Sequence, residues 1–482
     1  MWIGIKFTLI NKFVDKSNLA KKTIIYAIGN VGVLVINFIL VPFYTFFLSK
    51  ESLGFYDFIV TNALLIAPFA TLQVEMAILR WLLDAKTPRI KQNVIANSFF
   101  IFILNLILFT VLYFFLSKSF IKQYNELVYI YFILFFSYPI FKQILRGIGK
   151  SKQYVIVEVI YTLIFLLFSV FFIVYLKLDV KGLLISNILS LFIVILFIFF
   201  NNKLYSFFKL NFISFSLIGE ILKYSTPMIL NISSVWFITS AIKYFIVYFN
   251  GYSENGIYTV AYKFASIIQI INSVFYLSWQ EEAIKSYKIG TYKDNFNKIL
   301  FNYHIFLSTL LIFFTGIAPL LIPFLIGNNF HDAIQYIPML TLGFMFMSLG
   351  SFYGVFYQCE KKTLGLSISA LISGLLVVIF SIIFKNIYSL KIASIIFTLS
   401  FFVFFVYRLI NVRKFIKINF PYKVLYITLT FYLILYVSNL LLSVYSKTII
   451  ALLSTSIFIF IYRYDIKSKI QSFYFFKYVK RS

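Results

Sequence analysis

The sequence predicts an all-α integral membrane protein of about fourteen transmembrane helices, arranged as two pseudo-symmetric six-helix bundles followed by two further helices. Three observations predict it. Of the 482 residues, 61% are hydrophobic and 12% charged, with a mean hydropathy of +0.93, so a water-soluble fold would have nowhere to put its apolar surface. The apolar residues come in successive runs of about 20, the length a helix needs to cross the hydrocarbon core. Finally, two stretches in different halves of the chain share one design, so the second half repeats the first.

The runs lie near residues 23–48, 54–79, 92–116, 127–145, 154–176, 182–200, 224–249, 256–281, 299–326, 333–357, 364–384, 389–407, 424–442 and 446–462. Ahead of the first, "MWIGIKFTLINKFVDKSNLAKK" is too interrupted by charge for the apolar core of a cleavable signal, and the first run is expected to be an uncleaved anchor. Lysines and arginines gather in the N-terminal segment, alternate loops and the C-terminal tail, roughly four to one over the opposite loops, which puts both termini in the cytoplasm. The net charge of +27 is thereby a topology signal and argues against a nucleic-acid partner. The single cysteine, Cys359, excludes an internal disulfide and a cysteine-built metal site.

The repeat joins "LSKESLGFYDFIVT" to "FNGYSENGIYTVAYK". Each links two spans by a short outer turn and continues as Gly-x-Tyr, with Gly54 and Tyr56 matching Gly256 and Tyr258. Both copies start on the cytoplasmic side, so the repeat is parallel, about an axis along the membrane normal. The expected organisation is an N-terminal bundle (1–200), a polar cytoplasmic linker (201–223), a C-terminal bundle (224–410) and, over 411–482, helices 13 and 14 with a basic tail. A substrate is expected between the two bundles.

These residues resemble the Wzx-type polysaccharide and O-antigen flippases, within the multidrug/oligosaccharidyl-lipid/polysaccharide exporter (MOP) superfamily. The resemblance is carried by "NVGVLVINFILVPFYTFFLSKESLGFYDFIVTNALLIAPFATLQVEMAILR", by "IKYFIVYFNGYSENGIYTVAYKFASII" and by "SWQEEAI". It implies a MATE-like fold working by alternating access. It also implies movement of undecaprenyl-diphosphate-linked oligosaccharide, such as an O-antigen or capsule repeat unit, from the cytoplasmic to the outer leaflet of the bacterial inner membrane. Membrane lipid, a polysaccharide polymerase and chain-length proteins are the further partners it suggests. Many relatives carry an acid just before the basic residue of span 7; here the run is Ala241, Ile242, Lys243.

Two lysines stand inside spans. Counted from the ends of spans 7 and 8, Lys243 and Lys263 come to about 10 Å below the outer surface, in one layer. A mid-membrane lysine costs roughly 2.5 to 3.5 kcal/mol on insertion scales and usually faces a wet cavity or a partner. Two cations at one depth suit the diphosphate of a polyprenyl carrier; the competing reading is that both snorkel to the headgroups. Ser233, Ser240 and Lys243 on one side of span 7 favour a cavity, as do Thr259, Tyr262, Ser266, Gln269 and Ser273 along span 8.

In span 1, Tyr26, Asn30, Asn37 and Tyr44 share a face, so Asn30 and Asn37 join the candidate substrate-binding residues Lys243, Lys263, Ser240, Tyr262 and Gln269. In span 2, Asp57 and Glu75 are expected on one face about 27 Å apart, as outer and inner gates, with Arg80 pairing with Glu75 or meeting the diphosphate. Glu75 is the deeper, and so the candidate for linkage to a proton or sodium gradient. Glu281, at the cytoplasmic end of span 8, is a gate candidate with Lys285 or Lys288. Each of these has a plainer reading as an interfacial charge or a packed acid.

No P-loop pattern occurs, and His304 and His331 lie in separate segments without a second ligand at metal spacing. No enzyme activity and no bound cofactor are expected. A polysaccharide polymerase would call for a long external loop rich in arginine, whereas the outer loops here are short. A drug or cation exporter of the same superfamily is the main alternative, and it would favour anionic cavity residues over two lysines.

Overall fold

The computed structural model describes residue 36 and residues 38–463, apart from 121–122, 208–209, 290–291, 361–363, 415 and 442–443. Among the described residues there is no strand. The chain divides into two compact units, Met1–Trp236 and Phe237–Ser482. The first holds α1 (Phe38–Phe47), α2 (Lys50–Thr71), α3 (Val74–Asp84), α4 (Pro88–Phe120), α5 (Asn125–Gly147), α6 (Ser151–Val170) and α7 (Asp179–Asn201). The boundary falls within α8 (Phe215–Thr239). The second holds α9 (Ala241–Ala265), α10 (Ile267–Ile289), α11 (Tyr292–Leu325), α12 (Ile337–Cys359), α13 (Leu364–Ile383), α14 (Leu390–Val412), α15 (Tyr422–Leu441) and α16 (Val444–Ile461).

Nine helical segments among the described residues are long and apolar enough to cross a membrane, or ten if α8 and α9 supply one bent span. Every expected span coincides with helix, although just under half of the first, residue 36 and residues 38–48, is described. The apolar runs therefore fold as periodicity and length require: a backbone in lipid must satisfy its own polar groups, and the helix does so within each run.

Span 2 departs from expectation. It is two helices, α2 and α3, broken at Leu72 and Gln73, both with left-handed backbone (φ 50° and 54°). Asp57 and Glu75 therefore do not stand on one continuous helical face. Pro68 removes one backbone donor near the end of α2, and Thr71 begins the stop, its hydroxyl donating to Ala67 O (2.9 Å) and accepting from Gln73 N (3.2 Å). The carbonyls freed at the break are taken up by α4, where Asn105 Nδ2 donates to Phe69 O (2.7 Å) and Ala70 O (2.6 Å). A side-chain amide thus replaces the missing turn of backbone bonds.

The polar segment after α7 is also held. Asn97 of α4, fully buried, donates to Phe212 O (2.8 Å) and accepts from Ser214 N (2.7 Å), which fixes the approach to α8. Span 7 accordingly begins at Phe215 rather than 224, with Glu220 and Lys223 in its opening turns. It is interrupted at Ser240 (φ −127°, ψ −23°), so Ser233 and Lys243 belong to different helices and the expected stripe is not continuous.

In the second unit α9 consists of two helices that meet at Gly251 (φ 86°, ψ 179°). The outer turn of the repeat is thus a single glycine and not the loop 250–255. Only glycine takes that backbone region readily. The first copy turns at Ser49, which caps α2, and Ser49 and Gly251 stand at the same offset as Gly54 and Gly256.

The most extensive packing in this unit joins α12 to α14. Gly343 and Gly350, two helical turns apart, face Phe397 and Phe404: a Cβ would fall 2.7 Å from the first ring and 2.5 Å from the second. Small residues let large rings seat against the backbone, which is how helices associate where lipid removes the hydrophobic drive. The last two helices pack on α11 through Ile305, Ile312, Val424, Leu435, Ala451 and Phe458.

Candidate functional site

Lys243 stands in the first arm of α9 and is buried, 7% exposed. Its Nζ lies 5.0 Å from the ring centroid of Tyr262, in the second arm. In one continuous helix these two residues would be about 28 Å apart. Their approach shows that the arms fold back beside each other from Gly251. Tyr262 is held in turn by edge contacts to Phe344 of α12 (5.0 Å) and Phe397 of α14 (5.7 Å). An aromatic face attracts an ammonium through its quadrupole, by about 0.5 to 2 kcal/mol, and leaves the formal charge intact. A lysine reaching for headgroups would expose its tip; this one turns it inward.

Lys263 differs. It is exposed, and its carbonyl accepts from Ser266 Oγ (2.7 Å). Because the turn is one residue, Lys243 stands about 12 Å of helix from Gly251 and Lys263 about 18 Å. The two lysines therefore do not share one layer, as counting from the expected span ends had placed them. Ser240, half-buried at the break between α8 and α9, has its hydroxyl 3.2 Å from that of Thr239. Gln269, in α10, accepts from Ser348 Oγ (3.1 Å), and the Tyr303 hydroxyl reaches both Asn272 Oδ1 (2.6 Å) and Ser348 O (3.0 Å). The structure thus joins Lys243 to Tyr262 and puts Gln269 in a separate network with α11 and α12.

In the first unit Asp57 is buried in α2, and Glu75 is buried in the first turn of α3. Glu75 Oε1 lies 3.4 Å from Thr71 Oγ1, while Oε2 is buried with no hydrogen-bond partner among the described residues. Arg80 forms an exposed ion pair with Asp84, one turn on, and not with Glu75: at α3's short length the i,i+4 partner is nearer than the first-turn acid. Asn30 and Asn37 lie outside the described residues. Glu281 falls in α10, and its side chain is likewise outside what is described.

Several polar contacts escaped the sequence reading. Lys142 and Glu158 form an ion pair in the first unit, with Tyr138 donating to Glu158 Oε2 (2.8 Å) and Lys142 Nζ 4.7 Å from the Tyr154 ring. Their similar distance from the loop joining spans 4 and 5 was the available signal. Asn187 bridges two rings, donating to Tyr56 OH (2.7 Å) and accepting from Tyr161 OH (2.9 Å). Arg408 lies inside α14, one residue past the expected end of span 12. It donates to Ser369 Oγ (2.9 Å), Gly350 O (3.1 Å) and Leu366 O (3.4 Å), and stacks 3.8 Å from the Phe404 centroid. Among the described residues no group of three or more His, Cys, Asp or Glu side chains could hold a metal ion.

The chain is thus a multi-pass helical membrane protein with polar groups buried in both units. Residues 19–279, more than half of the chain, match the family model described as polysaccharide biosynthesis protein, and the chain belongs to that family. No curated protein matches the sequence. Among solved structures the fold is similar to the lipid II flippase MurJ in an inward closed conformation, with a TM-score of 0.68 at 16% identity over 93% of this chain and 100% of that one. It is also similar to an inward-facing multidrug resistance MATE family transporter of the MOP superfamily, with a TM-score of 0.60 at 16% identity over 79% of this chain and 95% of that one. An outward-facing structure of a MATE family transporter gives 0.55 at 17% identity over 82% and 96%. The MATE-like fold expected from the Wzx-type resemblance is the fold observed.

Proposed function

We propose that this chain is a flippase that moves an undecaprenyl-diphosphate-linked oligosaccharide, such as an O-antigen or capsule repeat unit, from the cytoplasmic to the outer leaflet of a bacterial inner membrane by alternating access. The observation that carries the reading is the Lys243 ammonium, buried over Tyr262 in a chain of a polysaccharide biosynthesis family. A lysine is a compact point charge that attracts a diphosphate without a rigid fork, so it permits release as well as capture. Lys263, exposed on the second arm, supplies a second cation deeper along α9. Hydroxyl and amide groups such as Ser240 and Gln269 suit the sugar hydroxyls.

Transport against a gradient needs a drive. Glu75, with one carboxylate oxygen unpartnered among the described residues, is the group we assign to proton or sodium linkage. Asp57 and Glu281 act in this reading as gates. Both termini lie in the cytoplasm, and a polymerase and chain-length proteins receive the product on the far side. Nothing in the reading requires enzymatic chemistry or a bound cofactor.

Surface glycan in cells carrying Lys243→Ala, Lys263→Ala or both tests it, with the amount of protein in the membrane measured alongside. The expected outcome is glycan reduced about tenfold by either change, the loss of one charged contact of roughly 1.4 kcal/mol, with the protein still in the membrane. Normal export by the double variant contradicts the anion-binding role and favours the cation-exporter alternative.

A further inference from the structure

The last two helices have no part in the proposed diphosphate site, yet they form the wall of a cavity of their own. It measures about 300 Å³ and is lined by Tyr436, Asn439 and Lys447 from α15 and α16, and by His331, Asp332 and Gln335 from the 3-10 segment Asn328–Tyr336 that leads into α12. All of it belongs to the second unit. By the distribution of lysine and arginine, the turns around 327–332 and 443–445 are on the outer side.

Two of its walls are fixed before any ligand arrives. Tyr436 stacks on Tyr432 at 6.0 Å and 21°, and Tyr432 is buried. Asn439 Nδ2 donates to Thr315 O (3.1 Å) on α11, which sets the plane of its amide. Helix α15 is itself pinned to α11 by Thr428 Oγ1 donating to Ser308 Oγ (2.7 Å). Preorganised side chains spend little entropy on binding.

The lining chemistry decides the ligand. Lys447 would attract a phosphate, but Asp332 on the same wall repels it, so the cavity carries no net positive charge to hold a dianion. Pro319, Ile334 and Pro338 give the lining an apolar part, but a fatty acyl chain seated there would desolvate the charged Asp332 and Lys447 on the same wall without satisfying either. An aromatic face beside planar carboxylate and amide groups fits a sugar ring: its C–H face lies on tyrosine and its neighbouring hydroxyls pair with Asp332, Gln335 and Asn439. The volume stands at the small end of the range for ligand pockets, about 300 to 1,000 Å³, so one ring fills it.

We propose that this cavity is an outer-face saccharide site that holds a single hexose unit. The proposal rests on the proposed function only for the source of the sugar, the glycan just delivered; the pocket stands or falls without it. Such a site would keep the delivered chain beside the protein, away from the path of return.

The test is saturation-transfer NMR on the purified full chain in a sugar-free detergent. The probes are the methyl glycosides of glucose, galactose, N-acetylglucosamine and glucuronic acid, with inorganic phosphate as a competitor. Transfer to the ring protons of at least one glycoside is expected, weakened about tenfold by Tyr436→Ala and by Asp332→Asn, the loss of one stacked or hydrogen-bonded group. Asp332 is exposed, so its variant reports on binding and not on folding. Lys243→Ala should leave the signal unchanged, which separates this site from the transport site. Absence of transfer to all four glycosides, transfer that survives both pocket variants, or displacement by phosphate would each overturn the proposal.

Discussion

Lys243 illustrates how much a single residue can say and where it stops. A lysine in the middle of "FITSAIKYFIVYFNG" is visible in any hydropathy reading, because nothing apolar explains it. That it meets Tyr262 is not visible: Tyr262 is 19 positions on, one aromatic among 99 tyrosines and phenylalanines, and only the fold-back at Gly251 brings it within 5.0 Å. Gly251 itself has no side-chain neighbours that would clash with a Cβ, so its constraint is one of backbone conformation alone. Gly251→Ala is expected to lower stability by about 1 to 3 kcal/mol, the cost of a non-glycine residue in that region, and thermal unfolding of the purified variant measures it. A variant as stable as the parent would mean that the arms do not turn there as described. Arg408 shows the opposite limit: a buried arginine one residue beyond an expected span end reads as a loop charge until its bonds to α12 and α13 are seen.

Helical elements were legible as runs, but their breaks were not. A hydropathy average passes over "FATLQVEMA" because the residues on both sides are apolar, and Thr71, Gln73 and Glu75 are too few to lower it. The break is set by contacts from another helix, where Asn105 supplies two bonds to carbonyls at the end of α2. Asn105→Ala removes both, leaving acceptors without donors in an apolar setting, at a cost of about 1 to 3 kcal/mol. Its expected consequence is a lower unfolding temperature, with Asn105→Asp, which keeps the shape but has no amide donor, no better than alanine. Full stability in both variants would show that the break at Leu72 and Gln73 is not held from α4. The same reasoning covers the seating of Phe397 and Phe404 against Gly343 and Gly350, where spacing alone could not reveal which helix would receive the rings.

At the scale of the whole molecule, the fourteen runs and the repeat followed from lipid as a solvent, since it leaves a chain few alternatives to crossing helices. The repeat was marked by Gly54 and Tyr56 against Gly256 and Tyr258, and the turns at Ser49 and Gly251 keep the same register. The cavity beside α15 and α16 gave no sequence signal, because its lining comes from separated segments of ordinary polar and apolar residues. Family membership ties the chain to polysaccharide biosynthesis, and the proposed transport, its direction and its cargo rest on where the lipid-linked sugar goes. The most direct measurement is the leaflet distribution of undecaprenyl-linked oligosaccharide in cells lacking this chain, read by accessibility to a membrane-impermeant sugar-modifying probe. Accumulation on the cytoplasmic face, restored to the outer face by the wild-type chain and not by Lys243→Ala, is the result expected of the flippase. Normal delivery to the outer face in its absence would contradict it.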